Sequence, residues 1–139
     1  MTIFFPFNIF STIKKVILFV DDEILILFHL KEQVKRYFGD EFRYETAINA
    51  NEAWEIVQEL EREGVDSITI VSDWIMPDIQ GDSFLRSVSK KFPSIRMILI
   101  SGHVRLQDVE NLKKDIHLHG FLTKPWNEKE LICLLESEA

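Results

Sequence analysis

The sequence predicts an α/β fold: a doubly wound, five-stranded parallel sheet in the order 2-1-3-4-5, with helices on both faces. Three observations lead there. Apolar runs of strand length alternate five times with longer amphipathic stretches. Gly39, Gly64, Gly81, Gly102 and Gly120 fall where one segment should give way to the next. Val16-Ile17-Leu18-Phe19-Val20 is apolar throughout, as a strand covered on both faces must be.

That run is the first strand. A helix follows from about Glu23 to Phe38 and stops at Gly39. Phe42 to Thr46 interleaves polar residues, the pattern of an edge strand. Asn51 to Glu63 reads as a helix, with Ala53, Ile56, Val57 and Leu60 on one face and Gly64 at its end. Ser67 to Ser72 is the third strand. Ser83 to Phe92 is a helix halted before Pro93. Ile95 to Ile100 is a strongly apolar fourth strand, and Leu106 to Asp115 a more polar helix. Phe121 to Thr123 is a short fifth strand. Glu128 to Glu136 is the last helix, with Asn127 as its N-cap. Right-handed crossovers restrict how such units connect. The order 2-1-3-4-5 is borrowed from the flavodoxin-like group, where ligands sit outside the carboxyl ends of the strands at the point where strand order reverses.

The chain has 139 residues, enough for one domain with a single core. Apolar residues at 46% and charged residues at 28% fit a globular domain. Acids outnumber bases 23 to 16, and the net charge of −7 argues against nucleic acid bound through a broad basic face. The single cysteine, Cys133, sits in an apolar helical pattern and is expected to be buried or half-buried. Residues 1–14 read as an apolar arm ahead of a domain at 15–139. The arm carries Phe4, Phe5, Phe7 and Phe10, and no charge before Lys14. It lacks the basic start of a signal peptide and the length of a membrane span. It is expected to pack on the domain or stay disordered; the sharper alternative is a contact for a partner or a homodimer.

Three signals carry the chemistry: Val20-Asp21-Asp22, Val71-Ser72-Asp73 and Leu122-Thr123-Lys124-Pro125. Each lies at the carboxyl end of an apolar run. In the proposed order the first and third strands are neighbours, about 4.8 Å apart, so Asp21, Asp22 and Asp73 can meet. Carboxylates that close repel unless a cation intervenes. Mg²⁺ (or Mn²⁺) suits such a set, because it takes one or two carboxylates, keeps waters and accepts a phosphate oxygen. Asp73 can then be ligand and nucleophile together. Lys124, after the fifth strand, can neutralise a transferring phosphoryl group. Ser101, after the fourth, can donate to a phosphoryl oxygen, with Gly102 leaving room for approach. Taken singly, an acidic pair can cap a helix, a loop acid is ordinary and Lys-Pro is often a turn. Four such features ending four strands are hard to assign to coincidence.

The motifs Val20-Asp21-Asp22-Glu23, Asp73-Trp74-Ile75-Met76-Pro77-Asp78-Ile79-Gln80-Gly81, Ser101-Gly102 and Thr123-Lys124-Pro125-Trp126 resemble the receiver domain of two-component response regulators. The resemblance covers residues 15 to 138. It implies that Asp73 is the phosphoacceptor, Asp22 a direct Mg²⁺ ligand and Asp21 an acid acting through water. The Ile75 main-chain carbonyl would be a further ligand, Ser101 the switch hydroxyl, Lys124 the phosphoryl-facing lysine and Phe121 the aromatic switch. It also implies a cytoplasmic phosphoacceptor that is not a turnover enzyme. Its donor would be a sensor histidine kinase or histidine phosphotransfer protein, and its output a downstream protein or further domain. The start of the first helix would dock the kinase. Ile24-Leu25-Ile26-Leu27-Phe28 exceeds one helix face, so Ile24 or Phe28 should point outward beside Pro125-Trp126, unless the arm covers them.

Ile75 and His103 occupy positions that, by the same resemblance, influence hydrolysis of the acyl phosphate. His117 and His119 are not spaced as helical metal ligands. Two other readings compete. A Mg²⁺-dependent aspartyl phosphatase of the haloacid dehalogenase class would place Asp-x-Asp after its first strand, where this chain has Asp-Asp-Glu. A degenerate receiver acting only by protein contact would not need the acidic set and Lys124. The sequence ends at Ala139, right after the last predicted helix, as expected either of a stand-alone regulator or of a receiver cut from a longer protein.

Overall fold

The computed structural model describes residues 15–137. The elements in chain order are β1 (Lys15–Val20), α1 (Ile24–Phe38), a 3-10 turn (Gly39–Glu41), β2 (Arg43–Ala47), α2 (Ala50–Glu63), β3 (Ser67–Ser72), α3 (Gly81–Lys91), β4 (Arg96–Ser101), α4 (Leu106–Asp115), β5 (Gly120–Thr123) and α5 (Glu128–Glu136). The strands form one parallel sheet in the order β2-β1-β3-β4-β5. This is the flavodoxin-like, doubly wound arrangement. Expected and observed ends differ by one or two residues, chiefly where Gly81 opens α3 and Gly120 opens β5.

Alternation along the strands divides the core. Val16, Leu18 and Val20 of β1, with Ile68, Ile70, Met97 and Leu99, face α2, α3 and α4. Ile17 and Phe19, with Val71, Ile98, Ile100 and Leu122, face α1 and α5. Successive side chains on a strand point to opposite faces, so a central strand must be apolar at every position. The helices close their ends locally. The Asn49 side chain accepts the Glu52 N–H at 2.8 Å, and Glu52 reaches back to the Ile48 N–H at 3.1 Å. Gly64 ends α2 with φ 75°, a left-handed conformation that costs glycine little.

One expectation is corrected. Cys133 is exposed. Helix α5 buries Leu131, Ile132 and Leu135, and the thiol lies off that face. The expectations for residues 1–14, as an arm or a dimer contact, lie outside the described residues. Among the described residues, no helix is long and apolar enough to cross a membrane.

Candidate functional site

Backbone pairing carries the strand ladder one residue beyond each strand and so places the site. The Asp21 N–H donates to the Ala47 carbonyl at 3.1 Å. The Asp73 N–H donates to the Val20 carbonyl at 2.9 Å, and the Lys124 N–H to the Ser101 carbonyl at 3.1 Å. Each chemical residue is therefore fixed by its neighbouring strand before its side chain makes a contact.

The side chains converge. Lys124 Nζ lies 2.7 Å from Asp21 Oδ2 and 3.2 Å from Asp73 Oδ2, with Glu23 Oε1 farther off at 3.8 Å. Asp21 and Asp73 are 1% and 7% exposed, whereas Asp22 faces solvent. Carboxylate oxygens of Asp21, Asp22 and Asp73 all lie within 4.8 Å of one another. Oxygen donors of net negative charge in this arrangement fit a hard divalent cation. The second Asp21 oxygen accepts the Glu23 N–H at 2.9 Å, and Asp73 Oδ1 accepts the Trp74 N–H at 2.7 Å.

Burial, and then the Asp21 charge, push the Asp73 carboxyl above the usual range, and Lys124 pulls it part of the way back. For Lys124, burial works against the ammonium, but hydrogen bonds and charge from Asp21 and Asp73 outweigh it and raise the pKa. The lysine is therefore held charged.

Ser101 is 1% exposed, and its hydroxyl has no hydrogen-bond partner among the described residues. A buried hydroxyl left unanswered is costly. It borders the same hollow as Asp73 and Lys124, where an incoming oxygen can satisfy it. Phe121, half-buried, packs against the core on the α2–α3–α4 face. Gly81 closes the loop behind Asp73. Its N–H donates to the Trp74 carbonyl at 2.6 Å, and a Cβ there would lie 2.2 Å from the Asp73 carbonyl oxygen.

Asp22, Asp73, Ser101 and Lys124 floor a hollow of about 640 Å³. Ile26, His29 and Gln33 of α1 form one wall; Ile75, His103, Pro125 and Trp126 complete it. Ile24 and Phe28 are 70% and 63% exposed, one helical turn apart, as expected of an outward face. They stand outside the hollow's lining. The wall nearest Trp126 is the Ile26–His29–Gln33 face, which sequence reading did not single out. The Trp126 indole N–H donates to Gln33 Oε1 at 2.7 Å, and its ring meets the His29 ring edge-on at 5.4 Å. The i, i+3, i+7 spacing of the three α1 residues was the available signal.

Comparison with known proteins agrees with this geometry. The family model for the response regulator receiver domain matches residues 17–136. The chain is 40% identical over 85 residues to the sensor kinase CckA of Brucella abortus, covering 61% of this chain and 9% of that protein. It is 31% identical over 116 residues to the hydrogenase transcriptional regulatory protein HoxA of Cupriavidus necator, covering 84% of this chain and 22% of that one. The chain thus spans a small part of the length of these relatives. A response regulator receiver domain protein from Clostridium thermocellum superposes with a TM-score of 0.73 at 27% identity, covering 88% of this chain and 91% of that one. A receiver protein from Pseudomonas putida shares the fold, with a TM-score of 0.78 at 21% identity over 90% and 98% of the two chains.

Proposed function

Because the chain belongs to the response regulator receiver domain family, we propose that Asp73 accepts a phosphoryl group from a phosphohistidine on a sensor histidine kinase or phosphotransfer protein. The observation that carries this reading is the Lys124 ammonium bridging the buried Asp21 and Asp73 carboxylates beside an unanswered Ser101 hydroxyl. Asp73 attacks phosphorus as the P–N bond to the donor imidazole breaks, which leaves an aspartyl phosphate and a free imidazole. Asp21, Asp22, Asp73 and the Ile75 carbonyl would hold Mg²⁺ or Mn²⁺, which supplies charge neutralisation at the phosphoryl oxygens.

Lys124 pairs with the same oxygens and opposes the charge that builds in transfer. The product adds negative charge and acceptor oxygens. Ser101 donates to one of them, and Phe121 repacks as that segment moves. The outward face then changes for a downstream protein or an attached domain. Any such partner responds only through a difference in its affinity for the two states. The domain is a cytoplasmic signalling phosphoacceptor rather than a turnover enzyme. Ile24 and Phe28, with Pro125 and Trp126, form the donor's landing surface. Ile75 and His103, both at the hollow, set the phosphoryl lifetime.

Incubation with Mg²⁺ and acetyl phosphate, followed by intact mass, tests the core of this. One phosphoryl group is expected on the wild type and none on Asp73→Asn. An unmodified wild type overturns the reading and leaves a phosphorylation-independent interaction module. Phe28→Ser and Trp126→Ala should slow transfer from a phosphohistidine donor and spare acetyl phosphate; unchanged transfer removes the landing surface. An unaltered decay rate in Ile75→Asn and His103→Ala removes the lifetime role.

A further inference from the structure

Asp78 lies in the loop between β3 and α3, five residues past Asp73. Its carboxylate accepts three backbone N–H groups. Two come from the start of α2: Ala50 to Oδ1 at 3.1 Å and Asn51 to Oδ2 at 2.9 Å. The third is its neighbour Ile79, to Oδ1 at 2.8 Å. The first N–H groups of a helix have no partner within it, and a negative charge there is favourable. Burial works against this carboxylate, but the hydrogen bonds from Asn51, Ala50 and Ile79 outweigh it and hold its pKa below the usual range. One exposed side chain thus ties the loop to a helix 28 residues away in sequence.

That loop carries Asp73 at its start and Ile75 two residues on. Its far end is fixed by Gly81, whose N–H reaches the Trp74 carbonyl. Helix α2 is anchored in the core through Ala50, Ala53, Val57 and Leu60. The Asp78 carboxylate therefore transmits the position of a packed helix to the middle of a loop that has no helix or strand of its own.

We propose that Asp78 is a positioning residue for the divalent cation, holding the Asp73–Gly81 loop against the N-terminus of α2 so that the loop's ligands stay where the metal needs them. The inference rests on the reading of Asp73 and Ile75 as cation ligands. It adds a determinant of metal affinity that touches neither metal nor phosphoryl group.

Calorimetric titration of the full chain with Mg²⁺ tests it. Asn49→Ala is the control, because Asn49 caps the same helix through the Glu52 N–H while the loop's own tie to that helix runs through Ala50 and Asn51. Asp78→Ala should weaken Mg²⁺ binding by about tenfold, the lower end of what outer partners of metal ligands contribute. Asp78→Asn, which keeps one acceptor oxygen, should fall between it and the wild type. Asn49→Ala should lower the melting temperature much as Asp78→Ala does, yet bind Mg²⁺ like the wild type. Wild-type affinity in Asp78→Ala overturns the inference alone. So does equal weakening in Asn49→Ala, which would make helix stability the cause. A wild type that binds no Mg²⁺ overturns the cation reading and the inference together.

Discussion

At the amino end of the sheet Arg96 reaches hydroxyl and carbonyl oxygens of its own chain; at the carboxyl end Lys124 is outnumbered by carboxylates. Arg96, at the start of β4, donates from Nε to Thr69 Oγ1 at 3.1 Å. Its other nitrogens reach the carbonyls of Leu135 and Ser137 at the end of α5. The last carbonyls of a helix have no partner within it and favour a positive charge. Arg96 thus ties β4 to β3 and to the end of α5. Lys124 instead serves Asp21 and Asp73, with Glu23 at the rim and Asp22 facing solvent. The acids remain in excess, and the buried Ser101 hydroxyl has no partner among the described residues. Arg96 is answered by acceptors of its own chain, whereas around Lys124 the acidic set and a buried hydroxyl offer room for a cation and for further oxygens.

Removing each cation in turn is the strongest way to break this contrast. Lys124→Ala leaves two buried carboxylates without their partner, and loss of one member of a buried pair costs about 3 kcal/mol or more. Urea denaturation in chelator should show that loss, and Mg²⁺ should recover much of it by taking over the neutralisation. Arg96→Ala removes hydrogen bonds from a charged donor, a loss of about 2 kcal/mol. Mg²⁺ should leave that loss unchanged. If added Mg²⁺ rescues both variants equally, the two ends do not differ as described.

The same contrast explains what could be read in the sequence. A central strand covered on both faces has to be apolar throughout, so Val16 to Val20 disclosed its place. Asp21, Asp73 and Lys124 were legible because each directly follows a strand, and strand order alone brings them together. Contacts between distant loops and helices leave no such trace. Asp78 meets Ala50 and Asn51 with no periodicity to announce it, and the helical spacing that groups Gln33 with Ile26 and His29 does not name Trp126, 93 residues away, as the partner. Cys133 was misplaced for a local reason. Leu131 to Leu135 is an unbroken apolar run, and only packing selects which side chains of such a run turn inward.

The smallest expected effect sharpens the comparison most, because it asks whether the carboxyl end is strained when no cation is bound. Burial and the Asp21 charge raise the Asp73 pKa in the folded chain. The folded state then holds that proton more tightly than the unfolded state does. Its contribution to stability is full below the ordinary carboxylate range and is lost as pH rises through the raised value. At neutral pH in chelator, ionised Asp73 should therefore destabilise the fold, with Lys124 offsetting part of the cost. Asp73→Asn removes the charge and keeps the shape. It should melt above the wild type at neutral pH, and the gap should close as pH falls below the ordinary carboxylate range. Mg²⁺ should narrow the gap at neutral pH by stabilising the wild type in particular. A gap that stays constant from acid to neutral pH in chelator would mean that Asp73 carries no such strain and that Lys124 alone balances the site.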